Sequence, residues 1–253
     1  GPFVAVQNDI DLGLQTEVGI DRDDDADFTA GQLDQGADRV DADALDELLQ
    51  QFAVKHLRLD RPLAFFDLET TGLDPRGGDE IISIGAVRIV NNHLVTDDRF
   101  EQLVNPMRPL RWESIQIHGI QESTLKDQPV IATVLPRFHQ FAENTILVAH
   151  NAAFDMRMLQ IKEQDTGIRF INPVLDTMLL SSIVHPAQEN HNLMTIAERL
   201  GIDVSGRHTA MGDALATANM FLKLIPLLAK KGIHTLGQAR EASEKTYFAR
   251  LRY

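Results

Sequence analysis

Cysteine is absent from this 253-residue chain, and so are long apolar runs and a surplus of basic side chains. Without thiols the chain can form no disulfide, no thiolate metal site and no cysteine nucleophile. No apolar run approaches the roughly 18 residues that a membrane helix needs. The first residues also lack the basic segment followed by an apolar one that marks a secretory signal. We therefore expect a cytoplasmic protein with no membrane partner.

The net charge of −13 argues at first against a nucleic-acid partner. This charge is unevenly spread, because residues 1–60 hold 15 acidic and 4 basic side chains, whereas residues 61–253 hold 22 and 20. The excess of acid therefore lies in the first 60 residues. A nearly neutral remainder is compatible with binding a short stretch of nucleic acid.

Residues 1–60 are interpreted as an acidic N-terminal extension. The aspartate cluster over residues 21–27 suggests a calcium loop, but an EF-hand requires glycine and glutamate where Ala26 and Gln32 stand. A solvated acidic arm is the favoured interpretation. Farther along, apolar residues with helical spacing predict one helix near 43–57.

The rest of the chain has the hydrophobic pattern of an α/β protein. Strands are predicted at 63–68, 81–90, 94–104, 146–149 and 174–175, and helices at 129–142, 152–163, from 177, 193–200, 210–228 and from 235. Asn91-Asn92 tolerates the left-handed conformation of a tight hairpin. We assign 61–232 to the main domain and 233–253 to a basic C-terminal helix.

Three groups of polar residues lie where chemistry is expected. Asp67 and Glu69 end the first predicted strand and, being two residues apart, project from the same face. Two adjacent carboxylates repel each other unless protons or cations compensate, although such pairs are often merely solvated. Thr70 and Thr71, followed by Gly72, add two hydroxyls and a position where the backbone can approach a ligand closely.

The second and third groups each precede a predicted helix. Asn151 and Asp155 follow the strand at 146–149, where Asn151 can cap the helix and Asp155 lies in its first turn. His208 and Asp213 stand in a similar relation to the helix at 210–228. Each group alone is explained by helix capping or by exposure to solvent.

Together the three groups resemble the motifs of the DEDDh branch of the DnaQ-like 3′→5′ exonuclease family, in the ribonuclease H-like superfamily. The stretch from Asp67 to Gly72 is similar to the first motif, His150 to Asp155 to the second, and His208 to Asp213 to the third. The motifs stand in the family's order and at its separations. The resemblance covers about residues 60–230.

This resemblance implies a mixed five-stranded sheet flanked by helices, with the site at the edge where the first strand ends. It also implies phosphodiester hydrolysis with two divalent cations, Mg²⁺ or Mn²⁺, which carboxylate oxygens suit. The implied metal ligands are Asp67, Glu69, Asp155 and Asp213, with Asp67 bridging both cations. By the same resemblance His208 is the general base toward the attacking water.

The resemblance further places the 3′-terminal nucleotide beside the first motif. We expect Leu68, Thr70 and Thr71 to contact it, the threonines through hydroxyl or backbone, and Asn151 and Phe154 to line the same pocket. Phe154 can stack on a base or pack in the core, and the sequence favours neither.

The substrate expected is the 3′ end of single-stranded DNA or of a frayed duplex, with release of nucleoside 5′-monophosphates. An RNA exonuclease of the oligoribonuclease or tRNA-trimming type is the alternative, and Thr70 favours DNA because oligoribonucleases usually have another residue there. A polymerase or repair complex is a candidate partner, although no clamp-binding peptide follows the domain. A third interpretation is an interaction protein whose acidic arm binds a basic partner or covers the site.

Overall fold

A computed structural model describes residues 61–204 and 206–246. The acidic extension and the helix predicted near 43–57 lie outside these residues, as do the last seven positions of the basic C-terminal segment. The proposed domain boundaries therefore stay predictions.

The described residues form one mixed sheet of five strands. These are β1 (Leu63–Thr70), β2 (Ile81–Val90), β3 (His93–Leu103), β4 (Ile146–Ala149) and β5 (Val174–Asp176). The strand order is β3-β2-β1-β4-β5, with β3, β2 and β1 antiparallel and β1, β4 and β5 parallel. This topology confirms the fold expected from the sequence.

The helices lie on both faces of this sheet. They are α1 (Trp112–His118), α2 (Glu122–Leu125), α3 (Ile131–Phe141), α4 (Ala152–Ile161), α5 (Glu163–Thr166), α6 (Thr177–Val184), α7 (Leu193–Leu200), α8 (Ala210–Ala229) and α9 (Leu236–Glu244). The sequence pattern predicted neither α1 nor α2. Helix α9 lies inside the predicted C-terminal segment and buries Ala239 and Ser243, so it packs on the domain.

Strand β1 is buried on both sides, which explains its continuous apolar run. Because side chains alternate along a strand, Phe65 faces one core and packs on Phe221 of α8, at 5.3 Å between ring centroids. Phe66 faces the other core and packs on Phe138 of α3, at 5.7 Å. Packing on both faces holds the central strand in place. The polar residues at its end, Asp67 and Glu69, are therefore held in place as well.

Among the described helices, only α8 resembles a membrane span. Its 20 residues are long and apolar enough to cross a membrane by length and composition. In the fold, however, 61% of its apolar 18-residue stretch is buried, and the helix packs against β1 and β2. Its hydrophobicity is therefore accounted for by its position in the core.

The predicted hairpin residues adopt the expected conformation, and two glycines that follow helices are also left-handed. Asn91 and Asn92 have φ of 50° and 61° in the hairpin between β2 and β3. Gly201 caps α7 in the left-handed region, at φ 62°. Gly232 also has a positive φ, but Lys230 occupies the C-cap of α8.

Candidate active site

Carboxylates converge at the edge of the sheet where the parallel strands end. Asp67 and Glu69 project from the last residues of β1, and Asp213 comes from the first turn of α8. One carboxylate oxygen from each of these three residues lies within 4.8 Å of the other two. Asp155 of α4 is only 5% exposed and is near enough to raise the pKa of Asp67. The structure thus brings together all four acids predicted from the sequence.

Burial and mutual repulsion disfavour ionisation of this cluster. Burial is the main cause that raises the pKa of Asp67 well above its usual value, followed by the charges of Asp155, Glu69 and Asp213. Burial and Asp213 raise the pKa of Glu69 to about 7. Burial also raises the pKa of Asp155, against the lowering effect of backbone N–H groups. Divalent cations would relieve this repulsion and favour the charged forms.

A glycine on β2 allows α8 to approach the end of β1. Gly85 of β2 is paired with Asp67, and a Cβ on Gly85 would overlap the backbone of Ala210 and Met211. The start of α8 therefore lies directly on the sheet beside Asp67. Because Asp213 is in the first turn of this helix, the close approach places its carboxylate in the cluster.

The segment before α8 presents His208 to the same cluster. Gly212, in the first turn of the helix, lies directly against Gly206. A Cβ on Gly212 would overlap the carbonyl oxygen of Gly206. Thr209 caps the helix, its hydroxyl accepting from the N–H of Gly212 at 3.0 Å and donating to the Gly206 carbonyl at 2.6 Å. His208 itself is left-handed, with φ 59°.

His208 is close enough to act on Asp213 electrostatically. Burial raises the pKa of Asp213, while the charge and the backbone N–H of His208, and then Arg207, lower it. The Oδ1 atom of Asp213 is buried and has no hydrogen-bond partner among the described residues. An oxygen-rich donor set with an unsatisfied buried carboxylate oxygen fits a hard divalent cation such as Mg²⁺ or Mn²⁺.

Comparison with known proteins agrees with this geometry. The RNase_T family, described as an exonuclease family, matches residues 64–221 of the chain. The chain belongs to this family. It carries a metal-dependent exonuclease domain of the DEDDh, DnaQ-like type with a ribonuclease H-like fold, as the sequence motifs indicated. Such domains use two divalent cations, and Asp67, Glu69 and Asp213 could hold metal here.

Similar sequences include bacterial DNA polymerase III proteins. A DNA polymerase III subunit epsilon-like protein of Rhodobacter capsulatus is 52% identical over 174 residues, which are 68% of this chain and 25% of that protein. A PolC-type DNA polymerase III of Caldanaerobacter subterraneus subsp. tengcongensis is 41% identical over 180 residues, 71% of this chain and 13% of that protein. The chain thus spans a quarter or less of these two relatives.

Solved structures share the fold. Exonuclease X in complex with 5′ overhanging duplex DNA is 26% identical, with a TM-score of 0.58 over 72% of this chain and 99% of that chain. The nuclease domain of 3′hExo, a DEDDh family member bound to rAMP, is 20% identical, with a TM-score of 0.59 over 69% of this chain and 94% of that chain.

Asp176 organises the second motif of the exonuclease domain. Its carboxylate accepts hydrogen bonds from the backbone N–H groups of Asn151 and Ala152, both at 3.0 Å, and of Met178, at 2.9 Å. One side chain therefore satisfies the starts of both α4 and α6. This arrangement aims α4, and with it Asp155, at the cluster.

Asn151 is the N-cap of α4, but the capping bond expected from its side chain is absent. Its backbone is left-handed, at φ 61°, so that its N–H reaches Asp176 instead. The Oδ1 atom of Asn151 is buried and unpaired among the described residues. The side-chain amide is thus free of the structural task predicted for it.

His150 is hydrogen-bonded to the start of α6. Its Nδ1 lies 2.9 Å from the hydroxyl oxygen of Thr177. Burial lowers its pKa to about 4, so the imidazole is neutral at physiological pH.

The loop after β1 is built around a buried acid, Asp79. Its Oδ1 accepts from the Thr71 hydroxyl at 2.9 Å, and its Oδ2 from the N–H of Asp74 at 3.0 Å. A Cβ on Gly72 would overlap the Asp79 carboxylate, so glycine is needed for this approach. The N–H of Thr71 also donates to Glu80 O, at 2.9 Å. A contact of Thr71 with a nucleotide would compete with these bonds.

Thr70, Leu68 and Phe154, the other predicted substrate contacts, differ in which of their groups are available to a nucleotide. The Thr70 hydroxyl donates to the carbonyl of Gly72 at 2.7 Å. The Leu68 side chain is 6% exposed and belongs to the core, which leaves its backbone as the contact. Phe154 is half-buried and packs against the same core, which favours the packing alternative weighed for it.

Sequence reasoning assigned no role to four residues that shape the site, namely Asp79, Gly85, Asp176 and Gly212. Asp176 had a detectable signal, since aspartate between a strand and a helix is a typical N-cap. The two glycines and Asp79 had none, because their importance depends on backbone segments that meet only in the folded chain.

Proposed function

We propose that this protein degrades single-stranded DNA, or the frayed end of a duplex, from its 3′ end and releases nucleoside 5′-monophosphates. The observation that carries the proposal is the convergence of four carboxylates, from Asp67, Glu69, Asp155 and Asp213, beside His208 at one edge of the sheet. These are the residue types and positions of the DEDDh motifs.

Two divalent cations would be held by these four carboxylates, with Asp67 at the centre of the set. Bound there, they would stabilise the attacking water and the leaving 3′-oxygen. The role of the protein is to hold the carboxylates in place, through the rigid β1 strand, the Asp176-anchored α4 and the glycine contacts of α8. Removal of Mg²⁺ or Mn²⁺ should therefore abolish turnover without unfolding the domain.

His208 is proposed as the general base. Imidazole is the side chain whose ordinary titration lies nearest neutral pH. The charge of His208 lowers the pKa of its neighbour Asp213, so the ring is close enough to the carboxylates to reach a water bound beside them. The cap formed by Thr209 and Gly206 fixes the segment that carries the ring.

The 3′-terminal nucleotide is proposed to lie between the end of β1 and the start of α4. Asn151 is the strongest candidate contact, because its buried Oδ1 has no partner among the described residues. The backbone at Leu68 and Thr70, the Thr71 loop and the partly exposed ring of Phe154 would form the remaining walls.

DNA is favoured over RNA by the relatives whose names are DNA polymerase III proteins. The same names favour a proofreading role beside a polymerase in the cytoplasm. An RNA exonuclease remains the second candidate, because the motif residues bind the phosphodiester and the metals and do not read the 2′-hydroxyl.

A labelled-strand assay tests the proposal. A 5′-labelled single-stranded DNA and its RNA counterpart are incubated with Mg²⁺, with Mn²⁺ or with chelator, beside Asp67→Asn and a control substitution, Asp97→Asn, on the exposed part of β3. We expect a metal-dependent ladder that shortens from the 3′ end, is lost in Asp67→Asn and persists in the control. Intact strands in every lane would refute the activity, and faster cleavage of RNA would overturn the DNA preference.

A further inference from the structure

An exposed surface of apolar and basic side chains borders the loop that follows β1. We call it the rim surface and define it by Leu73, Met107, Arg108, Arg111 and Trp112. Leu73 is 81% exposed, Met107 75% and Trp112 68%. Trp112 directly follows Arg111, whose side chain is also exposed, so an indole and a guanidinium open to solvent lie on adjacent residues.

Buried Asp79 fixes this surface to the catalytic edge. Its Oδ1 lies 2.9 Å from the hydroxyl of Thr71 and 3.4 Å from Nη2 of Arg111. Thr71 is two residues past Glu69, and Arg111 immediately precedes Trp112, the first residue of α1. The residue that precedes the tryptophan is therefore tied to the loop that leaves the carboxylate cluster.

Two arginines of the rim surface share the carboxylate of Asp79. Arg108 and Arg111 both face this one carboxylate, at 3.9 and 3.4 Å, and the Arg111 side chain is 54% exposed. Arg108 is bonded further to the carbonyl of Gly78, whereas Arg111 keeps donors that reach solvent. The adjoining acid, Glu113, lies in the first turn of α1. An exposed guanidinium beside an exposed indole suits a phosphate beside a base.

We propose that the rim surface binds the unpaired nucleotides that precede the 3′-terminal one, with Trp112 stacked on a base and Arg111 on a phosphate. The proposal rests on the proposed function for its substrate. A strand whose 3′ end lies in the carboxylate cluster must leave it across a neighbouring surface, and the rim surface adjoins the loop directly after Glu69. Stacking and phosphate contacts are indifferent to sequence, as an exonuclease requires.

Fluorescence tests the binding directly, because Trp112 is the only tryptophan in the chain. Oligothymidylate of about 12 nucleotides, within the range of single-strand sites, is titrated into Asp67→Asn protein in chelator, where no hydrolysis occurs. We expect quenching that weakens with added salt and that Arg111→Gln shifts to higher oligonucleotide concentration. Unchanged fluorescence at saturating oligonucleotide would overturn the proposal and leave a protein partner as the occupant.

Turnover gives a second and separate readout. Trp112→Ala should lower kcat/KM on the same oligonucleotide roughly 5- to 150-fold, the range expected for loss of one stacked base. The loss should be smaller on the p-nitrophenyl ester of thymidine 5′-monophosphate, a short substrate with no nucleotide before the terminal one. Trp112→Phe should restore most of the loss. Ile171→Ala is the matched control, since Ile171 is 83% exposed but precedes β5, at the opposite edge of the sheet.

The two proposals fail in different ways. A wild-type protein that cleaves neither substrate refutes the exonuclease assignment, while quenching of Trp112 would still support a strand-binding surface. A wild-type protein that cleaves both, with equal losses for Trp112→Ala on the long and short substrates, refutes the rim surface alone.

Discussion

The crowded carboxylates make a specific prediction about stability without metal. Burial and the charge of Asp213 raise the pKa of Glu69 to about 7, from an ordinary 4.5. The folded protein therefore binds a proton at Glu69 more tightly than the unfolded chain does. This contribution to stability is fully present below pH 4.5 and is lost as the pH rises to about 7.

The size of the effect follows from the pKa. Each tenfold change in acidity corresponds to 1.36 kcal/mol, so the rise at Glu69 amounts to about 3 kcal/mol. Solvent screening at this partly exposed group lowers the expectation to about 1–3 kcal/mol. Glu69→Gln removes the ionisation and keeps the shape. In chelator at pH 8 the variant should therefore be more stable than the wild type by about that amount, and inactive with metal.

Thermal unfolding in chelator at pH 4.5 and pH 8 measures this difference. Each kcal/mol corresponds to about 2–4 °C in Tm for a domain of this size. The advantage of Glu69→Gln should appear at pH 8 and shrink at pH 4.5, and Mg²⁺ should stabilise the wild type more than the variant. Glu101→Gln, on the exposed edge strand β3, is the matched control.

Two results would refute the reasoning. If Glu69→Gln is less stable than the wild type at pH 8 without metal, the carboxylate stabilises the fold and is not a strained member of a metal site. If its advantage is the same at both pH values, the gain comes from packing and not from the lost ionisation.

Three further substitutions test the remaining parts of the site. His208→Asn should lower kcat about 10²- to 10⁴-fold, the usual contribution of a general base, with Tm kept because asparagine tolerates the left-handed backbone; unchanged kcat would exclude this base. Gly85→Ala should lower the free energy of unfolding by about 1–3 kcal/mol, because it overpacks α8 against β2. The same variant should bind Mn²⁺ more weakly in calorimetry. Gly237→Ala in α9 is the control, since the added Cβ meets only the Thr235 hydroxyl at 4.0 Å and should leave stability unchanged or slightly raised. Asp176→Asn should cost about 1–3 kcal/mol in urea unfolding, because one acceptor facing a backbone N–H is lost; a smaller loss would mean that water replaces that bond.

Sequence patterns predicted most helices and strands of the main domain because buried apolar residues recur with the period of the element that contains them. The apolar run of β1 and the Asn91-Asn92 hairpin both follow from the order of residues alone. The four acids were identified differently, through the resemblance of their motifs to those of the exonuclease family. Helix α1 was not predicted because it is short and mostly exposed, with only Ser114 and His118 buried. A weak amphipathic pattern of seven residues gives little to detect.

The supports of the site were harder to predict than its reactive residues. Asn151 precedes α4 as a capping residue should, yet Asp176, 25 positions away, satisfies the helix start. Gly85 resembles an ordinary weak point in a strand, and its purpose shows only when α8 lies on it. Such roles depend on contacts between distant segments, which periodicity and spacing do not encode.

The shared carboxylate of Asp176 has a consequence for dynamics. The N–H groups of Asn151, Ala152 and Met178 all end on this one side chain, so none of them can open to solvent alone without disturbing the other two. Their hydrogen exchange should report one common local opening, with similar protection and a similar response to denaturant. The start of α4, which carries Asp155, would then fluctuate in step with the start of α6, and the geometry of the metal ligands would share the timescale of that opening.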